Sequence, residues 1–229
     1  MRCISRASIA CWIVMVGASS FRVPVIPKPS QKSKLLLKKF AQAVQAALAT
    51  RDPDDRRPVL KMAEDEGRFG RVSIPRRAWA PPGVRPQAPR QVVREYTHVY
   101  AAVAPAEGKM TSLILPSADT EMMSLFLEHV STTFAKYFVV MQVDQAGWHQ
   151  SKDLKIPANV RLIAQPAYSP ELNPVEHVWE EVREKHLANL ALASLDEVID
   201  KVCDGLNQLE ADPERLRSMT YFPHFRSVF

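Results

Sequence analysis

Cysteine is almost missing from this chain. Cys3, Cys11 and Cys203 are odd in number and no C-x-x-C spacing occurs, so neither a disulfide framework nor a zinc site is indicated, and a reducing compartment fits. Glycine is scarce as well, at 7 of 229 residues. No run of about twenty apolar residues suits a bilayer, which excludes a membrane-spanning helix from the expectation. Internal repeats and low-complexity tracts are also lacking, which sets aside solenoids and arrays. What remains is 46% apolar and 24% charged, an ordinary composition for a soluble chain long enough to bury one sizeable core.

The first twenty residues, MRCISRASIACWIVMVGASS, combine two arginines, an apolar run from Ile9 to Val16 and small residues after it, which resembles a secretory signal. The basic, glycine-poor, disulfide-free remainder argues against export, so a spurious signal and a cytoplasmic protein are expected. A mature N-terminus near Ser19 or Ser20 would support the secreted alternative. FRVPVIPKPSQKSK (21 to 34) is proline-rich and basic and reads as an extended arm. The chain is accordingly divided into residues 1–33, the signal-like segment with its arm, and 34–229, one folded domain.

Charge is uneven. Residues 21 to 100 hold 17 Lys and Arg against 7 Asp and Glu, whereas 101 to 229 hold 11 against 18. A basic half beside an acidic half suggests a polyanion for the first and cations, such as metal ions, for the second. Chance asymmetry of solvated faces is the plain alternative.

Leu36, Phe40, Val44 and Leu48 recur at helical spacing over about 34–49, and RDPDDRR ends that helix. PVLKMAEDE (58 to 66) reads as a short strand ending in three acids. VSIPRRAWAP (72 to 81) and THVYAAVAP (97 to 105) are β-rich, with Trp79 expected in a core or hairpin, and SLILP (112 to 116) is a short strand. DTEMMSLFLEHVSTTF (119 to 134) has helical period with Asp119 as cap. YFVVMQVD (137 to 144) is a buried-type strand, NVRLIAQP (159 to 166) a short one, and helices follow at about 174–188 and 195–210. This order predicts an α/β fold, a mixed sheet flanked by helices.

Three acids fall at element ends in this reading: Asp65, Asp144 and Glu176, the last opening a helix behind Asn173 and Pro174. The other acids of that helix need only a solvated face, with Glu181 reaching Lys185 at i,i+4. Ligands gather where strand ends and loops converge, so the three carboxylates can meet. Converging carboxylates repel unless a cation sits between them, and hard oxygen ligands suit Mg²⁺ or Mn²⁺. Spacing alone leaves open that Asp65 and Asp144 cap strands and that Glu176 serves its helix dipole.

EDEGRFGR (64 to 71), PRRAWAPPGVRP (75 to 86), VDQAGWHQS (143 to 151) and YSPELNPVEHVW (168 to 179) together resemble the DDE transposases of the mariner superfamily, in the bacterial insertion-sequence branch numbered six-thirty. The resemblance runs from about Phe21 to the C-terminus. It implies an RNase H-like catalytic domain over residues 34–229 with 1–33 as an N-terminal remnant, a two-metal mechanism, and DNA strand cleavage and joining at transposon ends and target. It places the catalytic and metal-binding acids on Asp65, Asp144 and Glu176, with 31 residues between the last two.

Beside those acids, Arg68, Arg71, Arg76, Arg77 and Arg85 supply cations for phosphate contacts, and as a cluster favour DNA. His149 follows Asp144 in a turn where an imidazole could approach a phosphate; a hydrogen-bonded loop histidine is the equal alternative. Asn173 and Pro174 are expected to be structural. The family's N-terminal helix-turn-helix modules do not fit into twenty residues. Either a separately encoded helix-turn-helix polypeptide restores end recognition, or the chain is a remnant that binds DNA without cleaving it. A homo-oligomer on DNA is expected, without a membrane. An RNase H-type nuclease acting on RNA or hybrids is a further alternative, which a substrate panel separates because recognition of 2′-hydroxyls is required there.

Overall fold

The structure, a computed structural model, describes residues 41–77, 79–165 and 173–221. The signal-like segment, the proline-rich arm and the start of the 34–49 helix lie outside these residues, as does Tyr168–Leu172. In chain order the elements are α1 (41–49), β1 (Val59–Val72), β2 (Val92–Ala104), β3 (Lys109–Leu115), α2 (Thr120–Thr133), β4 (Phe138–Val143) and β5 (Val160–Ala164). Then come α3 (Val175–Val182), which continues as a π-helical turn (Arg183–Leu187), α4 (Leu195–Glu210) and α5 (Pro213–Thr220).

The strands form one sheet in the order β3-β2-β1-β4-β5. β1 pairs antiparallel with β2, and β2 with β3, while β1–β4 and β4–β5 are parallel. This is the mixed α/β sheet expected. β1 is central because it is the strand where the antiparallel and parallel halves meet.

Side-chain alternation along the strands builds two cores. On one face, Leu60 and Met62 of β1, Tyr100 of β2 and Met141 of β4 bury against Met123, Phe126, Leu127 and Val130 of α2. On the other, Ala63 and Phe69 of β1 and Val99, Ala101 and Val103 of β2 meet Val178, Trp179 and Val182 of α3 and Val202 and Leu206 of α4. α1 covers β4 and β5 through Val44, Phe138, Val140 and Ile163. FVVMQV makes the buried strand β4 because every one of its residues faces a covered side. α2 starts where predicted: Asp119 accepts from Met122 N at 2.9 Å. Ser194 and Asp212 cap α4 and α5 in the same way.

Four expectations change. β1 does not stop at the acids but runs through them to Val72, paired with β2 as far as Val92, so Asp65 is inside the strand. Residues 72–81 are not a strand beyond the end of β1 and an isolated bridge, Ile74 to Ala188. The 73–91 connection is pinched at its neck, where Ser73 N donates to Gln91 O (3.0 Å) and Gln91 N to Ser73 Oγ (2.8 Å). Beyond that neck lie five prolines, and a proline has no N–H for a ladder. Trp79 is fully exposed there rather than in a core. Glu181 pairs with Arg215 of α5, a helix not foreseen, rather than with Lys185.

Candidate active site

Three consecutive acids in a pleated strand cannot share one face. Asp65 points toward α3 with Ala63, Gly67 and Phe69, while Glu64 and Glu66 point toward the α2 side. Asp65 Oδ2 accepts from Trp179 Nε1 at 2.8 Å. Trp179 is one turn beyond Glu176 on α3, so the helix that carries the third acid also donates to the first. Gly67 makes this approach possible: a Cβ there would lie 2.7 Å from Phe69 Cε2 and 3.0 Å from the Trp179 ring. Phe69 closes the other side of the indole edge-on, with centroids 5.6 Å apart.

Asn173 sets the start of α3. Its Oδ1 accepts from Val175 N (3.1 Å) and its Nδ2 donates to Glu64 O on β1 (3.4 Å), tying the helix start to the strand. Pro174 follows, and Glu176 is exposed in the first turn.

Burial pushes the Asp65 carboxyl from 3.8 up to about 7; the Trp179 hydrogen bond opposes this, and the negative charges of Glu176, Glu66 and Asp144 add to it. Asp144, directly after β4, is half-exposed. His149 Nδ1 approaches its Oδ1 at 2.8 Å and Ala146 N donates to the same oxygen at 2.8 Å. The His149 hydrogen bond holds the Asp144 carboxyl below the usual carboxylate range, with Ala146 N–H reinforcing it.

His149 sits in a 3₁₀ turn (Gly147–Gln150) and is buried rather than presented to a phosphate. Its Nε2 lies 3.0 Å from Glu66 Oε1 and 3.5 Å from Glu64 Oε2. Trp148 Nε1 donates to Glu66 Oε1 at 2.7 Å. Burial works against a charged ring, but the Asp144 and Glu66 hydrogen bonds outweigh it and raise His149 to about 10. Glu64 is 1% exposed, and neither of its oxygens has a hydrogen-bond partner among the described residues. Burial, then the charge of Glu66, raises its pKa well above the usual range. The Glu64, Glu66 and His149 partnership was not read from sequence, because its members are about eighty residues apart; EDE together with WHQ was its trace.

The arginines divide. Arg71 is committed to Glu95 (2.8 Å) and Leu192 O (3.1 Å). Arg68 lies over the Tyr96 ring, 4.5 Å from its centroid. Arg76 stands 4.0 Å from Glu184, and its backbone N donates to Asn189 Oδ1. Arg76, Arg77 and Arg85 are exposed on the 73–91 connection.

The three predicted acids suit hard divalent cations by chemistry: all are carboxylates, and the charges of Glu176, Glu66 and Asp144 add to the burial that raises Asp65. They are not drawn to a common point. Among the described residues, the group of three with ligand atoms within 4.8 Å of one another is Glu64, Glu66 and His149.

A mixed sheet with helices on both faces and acids gathered across its central strands defines an RNase H-like domain. The Mos1 mariner transposase has this fold: its paired-end complex with the left transposon end matches over 90% of this chain and 67% of that one, at 14% identity and a TM-score of 0.50. Its paired-end complex with Mn matches 88% and 65%, at 12% identity and a TM-score of 0.51. Residues 62–199 match the family model described as DDE superfamily endonuclease, and the chain belongs to that family. An uncharacterized protein, y4pE/y4sA, of Sinorhizobium fredii (strain NBRC 101917 / NGR234) is 36% identical over 125 residues, 54% of this chain and 93% of that protein. The transposable element Tcb2 transposase of Caenorhabditis briggsae is 34% identical over 76 residues, 32% of this chain and only 27% of that transposase. No helix among the described residues is long and apolar enough to cross a membrane.

Proposed function

We propose that this domain cleaves and joins DNA strands at the ends of an insertion sequence, using Mg²⁺ or Mn²⁺ held by Asp65, Asp144 and Glu176. The observation that supports the reading is the placement of Asp65, which accepts from Trp179 on the helix that bears Glu176 and whose carboxyl is raised to about 7 by burial first, with the charges of Glu176, Glu66 and Asp144 adding to it. Divalent ions bound there would activate a water or 3′-hydroxyl and stabilise the leaving oxygen in an in-line attack on a phosphodiester. The chain's own groups orient the acids: Trp179 N–H fixes Asp65, His149 and Ala146 N–H fix Asp144, and Asn173 fixes the helix bearing Glu176. Both contacts to Asp144 fall on Oδ1, so Oδ2 is the oxygen offered to a metal.

DNA is the proposed partner. Arg68, Arg71 and Arg183 line one cleft beside the C-terminal end of β1, and Arg76, Arg77 and Arg85 project from the adjoining connection. The Mos1 structures of similar fold are paired-end complexes, which supports a homo-oligomer on DNA.

The test is nicking of a labelled duplex carrying the element's ends, with Mg²⁺ or Mn²⁺ and with Asp65→Ala, Asp144→Ala and Glu176→Ala run alongside. Cleavage by the wild type and by none of the three variants is expected. An alanine variant with full activity removes that acid from the site. Binding without cleavage supports a remnant, and cleavage of RNA–DNA hybrids alone supports an RNase H-type nuclease.

A further inference from the structure

Adjacent residues of β1 serve opposite faces of the sheet, and each is tied to one of the proposed catalytic acids. Asp65 is the first acid itself. Glu66, one residue on and facing the other way, reaches His149, and His149 reaches Asp144. We propose that Glu66 and His149 are positioning residues, a hydrogen-bonded clamp that fixes Asp144 against the strand carrying Asp65. The inference rests on Asp144 being a metal ligand, as proposed above.

The geometry carries it. His149 Nδ1 lies 2.8 Å from Asp144 Oδ1 and Nε2 lies 3.0 Å from Glu66 Oε1, so one ring bridges the two carboxylates at hydrogen-bond distance on both sides. The ring cannot swing, because its side chain is 1% exposed and Trp148 stands edge-on to it with centroids 5.8 Å apart. Glu66 is itself held, since its Oε1 also accepts from Trp148 Nε1 at 2.7 Å. Two N–H groups thus occupy the lone pairs of Oε1, which favours the clamp over an ion at Glu64, Glu66 and His149. Asp144, by contrast, has no ladder to hold it: β4 ends at Val143, and the side chain is 48% exposed. Without His149, one backbone N–H would be its remaining contact among the described residues.

Residues behind a metal ligand typically contribute about 10–100-fold to metal affinity. The clamp is therefore measured as Mn²⁺ affinity, read by the free-ion electron paramagnetic resonance signal, independently of DNA and of turnover. His149→Ala and Glu66→Ala should each weaken Mn²⁺ binding by about 10–100-fold while the cooperative melt persists. Glu66→Gln keeps an acceptor for both N–H groups and should recover most of the affinity. His149→Asn keeps a donor near the Nδ1 position but cannot reach Glu66, and should stay weak. If an alanine variant does not fold, Glu66→Gln against His149→Asn decides in the same way.

Unchanged affinity in folded His149 variants, or Glu66→Gln no better than Glu66→Ala, overturns the clamp. So does an ion that survives dialysis of the wild type and is lost in Glu64→Gln, because the cluster would then be a metal site. If Asp144→Ala itself leaves Mn²⁺ affinity unchanged, the reading of the acids fails instead.

Discussion

Replacing Asp65 by asparagine keeps an oxygen for the Trp179 N–H and removes only the charge. The folded carboxyl sits near 7 where the free value is 3.8. At about pH 3 and below, under the free value of 3.8, folded and unfolded chains both hold the proton and the residue costs almost nothing. Between the two values the unfolded chain releases its proton while the folded chain keeps it, so stability falls as pH rises, and above about pH 7 the full cost is present. At about 1.4 kcal/mol per pKa unit, the shift from 3.8 to about 7 sets a ceiling of about 4 kcal/mol. In EDTA, urea unfolding of Asp65→Asn should match the wild type at about pH 3 and exceed it by about 1 to 4 kcal/mol at about pH 8. Added Mg²⁺ should then stabilise the wild type and leave the variant unmoved, since an ion that binds only the folded state stabilises it by mass action. An equal difference at both pH values, or none at about pH 8, would refute the reasoning.

Gly67→Ala drives a methyl into Phe69 and the Trp179 ring; it should cost about 1–3 kcal/mol in a thermal melt and reduce Mg²⁺-dependent nicking, because Trp179 Nε1 leaves Asp65. Glu64→Met replaces a buried carboxyl whose oxygens lack hydrogen bonds by an apolar chain of similar length, and a gain of about 1–3 kcal/mol in urea unfolding is expected. Replacing Arg76, Arg77 and Arg85 together by alanine should leave the melt unchanged and weaken duplex binding, reducing the slope of log affinity against log salt by about 0.9 for each arginine that meets a phosphate.

Much of the architecture was legible because its signals are local. β4 is a run of residues buried on both sides, α2 announces itself with Asp119, and α3 with Asn173 and Pro174. β1 was cut short because three successive acids read as the end of a strand. They stay within it because each has a destination that only the folded chain supplies: Trp179 for Asp65, Trp148 and His149 for Glu66, and burial beside His149 for Glu64. Glu181 was assigned to Lys185, its neighbour on the helix, whereas Arg215 arrives from α5 across 34 residues of sequence. The three acids are candidates from their motifs alone, and the contacts of Asp65 with Trp179 and of Glu66 with His149 could not be read at all, since pairings across eighty or more positions leave no periodicity.

The pinch between Ser73 and Gln91 has a consequence for how this domain can change. Two hydrogen bonds close the neck where β1 gives way to the connection, so the sheet finishes its own ladder before the prolines begin. Closing a loop costs only about 0.6 kcal/mol more for each doubling of its length. The segment beyond the neck is therefore a cassette: it can be lengthened, shortened or exchanged for another sequence while β1 and β2 keep their register, leaving the surface it presents free to diverge at a rate the core does not set.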